Sequence, residues 1–239
     1  ESIPAYASTV TYSSIPEFLD IASQCIDRGY KAIKLHAFGD AKKDAELSLK
    51  LRAHVGPDIA LMYDGSAGFD LMDAVYLGHA LDEADFLWYE EPMREFSVTA
   101  YKWLGERVRI PLLLGEVTEG AHMSAGDFVA TGVASALRVS TFLRGGFTGA
   151  MRIAHLADTF HLRAEVHGMG LEQAHLCMAI KNNTYYESLV KDNPFTELGQ
   201  DLPVDKNGMI HAPKGPGIGY ETLWAEKGAP KELAKFLKA

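Results

Sequence analysis

The chain has 239 residues, 47% of them hydrophobic and 23% charged, with a formal net charge of −9. That balance is globular, of a size that suits one α/β barrel, and the acidic excess argues against nucleic-acid or anionic-membrane partners. An anionic substrate stays open, because a metal and local cations can reverse the field inside a pocket.

In chain order, short apolar runs read as strands at 3–8, 31–36, 59–64, 86–90, 112–116, 135–140, 162–167 and 184–187. Amphipathic stretches between them read as helices near 15–28, 40–55, 69–84, 95–108, 122–131, 147–160 and 170–181. Eight strands and seven helices repeating at about 25 residues describe a (β/α)7β barrel of the TIM type, with 1–194 as the barrel. No glycine-rich nucleotide fingerprint follows any strand, which speaks against an open dinucleotide-binding sheet. Residues 195–239, rich in Pro and Gly, read as an irregular tail wrapping the barrel. Cys25 and Cys177 lack zinc spacing and read as free thiols, which points to a reducing cytoplasmic setting. The opening Glu1-Ser2-Ile3-Pro4 reads as the interior of a longer chain.

Asp64, Glu90 and Glu116 each end an apolar run, and equal intervals separate them. On three consecutive barrel strands they would converge on the mouth, where like charges in poor solvent repel unless a cation joins them. A hard divalent ion, Mg2+, suits a shell of carboxylates. Lys34 and His36 are two apart on the second strand and share one side of it, and His167 ends the seventh strand opposite them. Glu187 ends the eighth strand; it would hydrogen-bond a developing enolate oxygen if it carries a proton, or be an ordinary surface carboxylate.

These residues lie in a series of motifs: GYKAIKLH, MYDGSAG, WYEEP, PLLLGE, RGGFTG, EVHG, YYE and a closing GxxxxPxxPGxGYE. Together they resemble the catalytic barrel of the enolase superfamily, on its mandelate racemase-like branch. The resemblance implies Mg2+ held by Asp64, Glu90 and Glu116, with Lys34 and His36 in the place of the usual KxK pair of the second strand. It implies His167 as acid or base from the opposite face, Glu187 as the carboxylate contacting the enediolate, and a small-molecule carboxylate as substrate. Members of this family carry an N-terminal capping domain, which the resemblance leaves as an expectation outside the residues of this chain, and self-association into a homo-oligomer is expected.

Three departures bear on the reaction. His36 replaces the second Lys; an imidazole with a pKa of about 6.5 can accept a proton at neutral pH, and Lys34 beside it should depress that value. Ser140 stands where an Asp usually supports the strand-seven His, and a serine can orient an imidazole without stabilising its cation. Ser66 stands where an Asn is usual. With one face weakened, a dehydratase of an aldonate or aldarate is expected, forming a 2-keto-3-deoxy acid through an enediolate. In that expectation His36 or Lys34 removes the C2 proton and His167 helps the C3 hydroxyl leave. The alternatives are a racemase, epimerase or cycloisomerase of the same superfamily, or a non-catalytic paralogue.

Overall fold

The computed structural model describes residues 1–190 and 202–221. Its elements run β1 (Ser2–Ser8), α1 (Ile15–Asp27), β2 (Ala32–His36), α2 (Ala41–Val55), β3 (Ala60–Asp64), α3 (Leu71–Glu83), β4 (Trp88–Glu90) and α4 (Val98–Gly105). They continue with β5 (Leu112–Leu114), α5 (Ala125–Ala130), β6 (Ala136–Val139), α6 (Gly146–Thr159), β7 (Arg163–Val166), α7 (Leu171–Ala179), β8 (Tyr186–Leu189) and β9 (Met209–His211). The expected alternation is present, with ends shifted by a few residues. Two shifts touch the site: β5 stops at Leu114, so Glu116 lies beyond a strand end, and His167 follows β7 directly.

Parallel ladders link the eight barrel strands in the order β7-β6-β5-β4-β3-β2-β1-β8. The seam between β7 and β8 is bridged differently. Ala164 N donates to Asn182 O, Val166 N to Asn183 Oδ1 and Thr184 N to Glu165 Oε2, so side chains replace part of a ladder.

Local chemistry explains the helix starts on the mouth side. Ser14, Asp40, Asp70 and Ser97 sit in extended backbone and accept from N–H groups of the first turns of α1, α2, α3 and α4, which otherwise lack partners. Two separate cores form. One lies between the sheet and its helices, with Leu47, Leu51, Leu77, Tyr101 and Ile153 among its members. The other fills the lower lumen with Tyr6, Ala32, Met62, Trp88, Leu113 and Ala136, one residue from each of six strands.

Of the expected tail, 202–221 is described and packs on the barrel; 195–201 and 222–239 lie outside the described residues. β9, which the residue pattern did not announce, pairs antiparallel with β1. Gly29 and Gly208 permit this approach: a Cβ on Gly208 would stand 2.4 Å from the Gly29 carbonyl oxygen. Farther on, His175 Nε2 lies 2.9 Å from Ile218 O, and Tyr220 Oη donates to Glu172 on α7.

Candidate active site

The ends of β3 and β4 are welded together. Asp64 and Glu90 are register partners, Gly65 N donates to Glu90 O, and Ala67 N donates to Glu91 O. A side chain at Gly65 would meet Glu91 O and Pro92 Cα at 2.9 Å, so only glycine lets the two loops come this close. Glu91 takes a left-handed φ of 38°, ending the pleat so that Glu90 points inward while Glu91 accepts from Val117 N.

Lys34 Nζ lies at the centre, completely buried, 3.0 Å from Asp64 Oδ2, Glu90 Oε2 and Glu187 Oε1. Burial by itself would strip its proton, but Glu187 and Glu90 hold the ammonium well above the usual lysine range. These surroundings favour the ammonium form of Lys34, which speaks against its serving as the base for the C2 proton. The surroundings of Glu187 favour its ionised form. Burial raises it, yet Lys34 and Arg138 hold it well below the usual carboxylate range. Its oxygens accept from Ser8 Oγ at 2.7 Å and Gly168 N at 2.7 Å. It is no surface carboxylate either, being buried.

Arg138 was assigned no role from the sequence, and the structure puts it in the middle of the cluster. Its Nη2 donates to Tyr6 Oη at 2.8 Å and Glu187 Oε2 at 3.1 Å, and its Nη1 to Val166 O at 3.0 Å. Its Nε lies 2.5 Å from Glu90 Oε1 and 3.6 Å from Glu116 Oε2. The signal was available: an arginine inside the apolar run Ala-Leu-Arg-Val, two residues before Ser140, shares the inward face of β6.

The two imidazoles differ. His36 Nδ1 lies 2.6 Å from the Thr9 carbonyl oxygen, and Nε2 lies 2.9 Å from Asp64 Oδ2. A carbonyl and a carboxylate only accept, and burial and repulsion notwithstanding, Lys34 and His36 keep Asp64 ionised, well below the usual range. Both ring nitrogens thus face acceptors, a setting that favours the doubly protonated ring. Burial works against the charge, but Asp64 outweighs it and the His36 pKa is raised. The expected depression by Lys34 is present but smaller than the Asp64 contribution.

His167 is the opposite case. Burial pushes its pKa down, and its Nδ1 has no hydrogen-bond partner. Its Nε2 lies 3.2 Å from Glu116 Oε1. Ser140 does not orient it; the serine oxygen is taken by Phe142 N at 3.1 Å. Both imidazoles keep over a quarter of their side-chain surface, 27% for His36 and 28% for His167, whereas Lys34 and Arg138 have none. Ser66 backs Asp64, donating from its N to Oδ1 at 2.8 Å.

Four carboxylates, Asp64, Glu90, Glu116 and Glu187, thus share two permanent cations, Lys34 and Arg138. The deficit shows at Glu116, whose pKa burial and the Glu90 charge push up to about 10. Glu90 Oε1 and Glu116 Oε2 are buried without a directed hydrogen bond. Charge and orphaned oxygens fit a divalent cation. The side chains are not gathered around one, however: among the described residues no group of three His, Cys, Asp or Glu is arranged to hold a metal. Asp64 is fully engaged by Lys34, His36 and Ser66, and Arg138 reaches between Glu90 and Glu116.

A family model described as "Enolase C-terminal domain-like" matches residues 17–226. The chain belongs to this family. A crystal structure of D-glucarate dehydratase from Agrobacterium tumefaciens, complexed with magnesium, superposes with a TM-score of 0.85 at 32% identity, covering 96% of this chain and 66% of that one. A D-galactarolactone cycloisomerase from Agrobacterium fabrum is 27% identical over 92% of this chain and 63% of its own length. An N-succinylamino acid racemase from Amycolatopsis sp. is 27% identical over 93% of this chain and 61% of its own. The chain thus spans somewhat over three-fifths of these two relatives. They run different reactions on one fold, so membership does not select the reaction. Among the described residues no helix is long and apolar enough to cross a membrane.

Proposed function

We propose that this barrel is the catalytic part of a Mg2+-dependent dehydratase of acid sugars, an aldonate or aldarate, giving a 2-keto-3-deoxy acid. The observation that carries the choice is the pair of partly exposed imidazoles tuned in opposite senses, the His36 pKa raised by Asp64 and the His167 pKa lowered by burial. Elimination across C2–C3 needs a base for the C2 proton and an acid for the departing hydroxyl, and diverging pKa values assign such roles.

Asp64, Glu90 and Glu116 would hold the metal, which when bound supplies positive charge to a substrate carboxylate whose α-proton is otherwise too weakly acidic. Lys34 and Arg138 provide fixed positive charge below it. His167 takes the C2 proton, using a ring that needs no prior deprotonation. His36 donates from Nε2 to the leaving hydroxyl, with Thr9 O holding Nδ1–H and hence the ring orientation. This differs from the roles expected from the residue pattern, where His36 or Lys34 was the base and His167 assisted departure.

The test is 2-keto acid formation across a panel of aldonates and aldarates with Mg2+, repeated in D2O. His36→Asn should lose dehydration while retaining C2 deuterium exchange, whereas His167→Asn should lose both. Deuterium entering recovered substrate without keto acid from any compound would identify a racemase and end the dehydratase reading. Exchange lost in His36→Asn and kept in His167→Asn would reverse the two roles.

A further inference from the structure

Arg138 is a costly residue to keep where it is. A guanidinium removed from water loses a large hydration energy, recovered only through well-placed anions and acceptors. The surrounding strands provide them unevenly. Nη1 and Nη2 make directed bonds to Val166 O, Tyr6 Oη and Glu187 Oε2, which anchor the outer edge of the fork. Nε is the one donor atom without a directed bond, and it projects between Glu90 and Glu116. The two oxygens it approaches, Glu90 Oε1 and Glu116 Oε2, are those left without directed partners. One positive group therefore stands against the two oxygens that a metal would need, near enough to neutralise them and too poorly aligned to satisfy them.

We propose that Arg138 is an internal counter-ion that substitutes for the metal in the metal-free chain and competes with a divalent cation for Glu90 and Glu116, so that it sets the metal affinity of the site. The inference rests on the reading that Asp64, Glu90 and Glu116 bind the metal. Its physical basis is mutual exclusion. A divalent ion placed between Glu90 and Glu116 would face the guanidinium at short range in a poorly screened interior, so either binds more weakly for the other's presence. Retreat of Nε must also work against the bonds by which Tyr6 and Glu187 hold the guanidinium from the other side. Lys34 does not act in the same way, because it points at Asp64, Glu90 Oε2 and Glu187 and away from the orphaned pair.

The experiment is Mg2+ titration of the whole chain by calorimetry, for wild type, Arg138→Gln and Glu116→Gln, with melting temperatures taken in chelator and in Mg2+. Arg138→Gln should melt lower than wild type in chelator, bind Mg2+ on the order of tenfold more tightly or better, and gain more from the ion in melting temperature. A variant that folds only in Mg2+ would support the inference equally, since the ion then replaces the missing charge. Equal or weaker binding by a folded Arg138→Gln overturns it. So does a variant unfolded with and without Mg2+, because the guanidinium would then be a structural part that no ion replaces. If neither wild type nor Arg138→Gln binds Mg2+, or if Glu116→Gln binds as well as wild type, the metal assignment itself fails.

Discussion

Two layers of the barrel lumen, one step apart on the same strands, are built on opposite principles. Tyr6, Ala32, Met62, Trp88 and Ala136 fill the lower layer, and two residues on stand Ser8, Lys34, Asp64, Glu90 and Arg138. Both layers are sealed from solvent. The lower is specified by volume, through apolar contact and edge-on rings such as Tyr6 against Trp88 at 5.9 Å. The upper is specified by charge: each member is tolerable only because its partners are present, and the deficit of positive charge shows at Glu116, whose pKa is pushed up to about 10.

Substitutions can break that contrast in order of expected effect. Lys34→Met should be the most damaging, leaving Asp64, Glu90 and Glu187 without their shared cation; metal-free stability should fall by about 3–5 kcal/mol in denaturant titration and activity should vanish. A loss under about 1 kcal/mol would show that the upper layer is not held by charge. Met62→Ala should cost about 2–5 kcal/mol through a lumen cavity while leaving Mg2+ affinity nearly unchanged. A large drop in affinity there would mean that the two layers are not separable.

Glu91 sharpens the contrast through pH. Burial, then the Glu95 charge, push its pKa to about 8, above its ordinary value. A carboxyl with a raised folded pKa stabilises the fold fully at pH values below its unfolded pKa, and that contribution is lost as pH rises through about 8. Metal-free wild type should therefore lose stability between about pH 5 and about pH 9, and Glu91→Gln should flatten that slope. An unchanged slope would remove Glu91 as its source. Smallest of all, Glu165→Gln on the β7 seam should shift stability by about 0.5 kcal/mol or less, because burial already favours the neutral acid. A larger loss would show an ionised Glu165 paired across the ladder with its register partner Arg138.

The strand and helix order of the barrel was legible because each parallel strand is buried on both faces and reads as an apolar run, and each helix reads as a striped one. Asp64, Glu90, Lys34 and His36 were legible as positions, since a polar residue interrupting or ending such a run has few structural explanations. Glu116 was placed at a strand end that stops two residues earlier, and β9 escaped because three residues carry no periodicity. Arg138 escaped attention although its sequence position carried the signal.

By itself, then, the sequence determined which residues the barrel would bring to one mouth, because side-chain alternation along a strand is a local rule. Only the tertiary structure decided what those residues are there. Whether an imidazole is charged or neutral depends on which acceptors reach it from other strands: Thr9 and Asp64 for His36, with Nδ1 of His167 left bare. Whether Lys34 is base or counter-ion depends on three carboxylates from three other strands. Electrostatic energy is set by distance in space and by burial, and neither can be read along the chain.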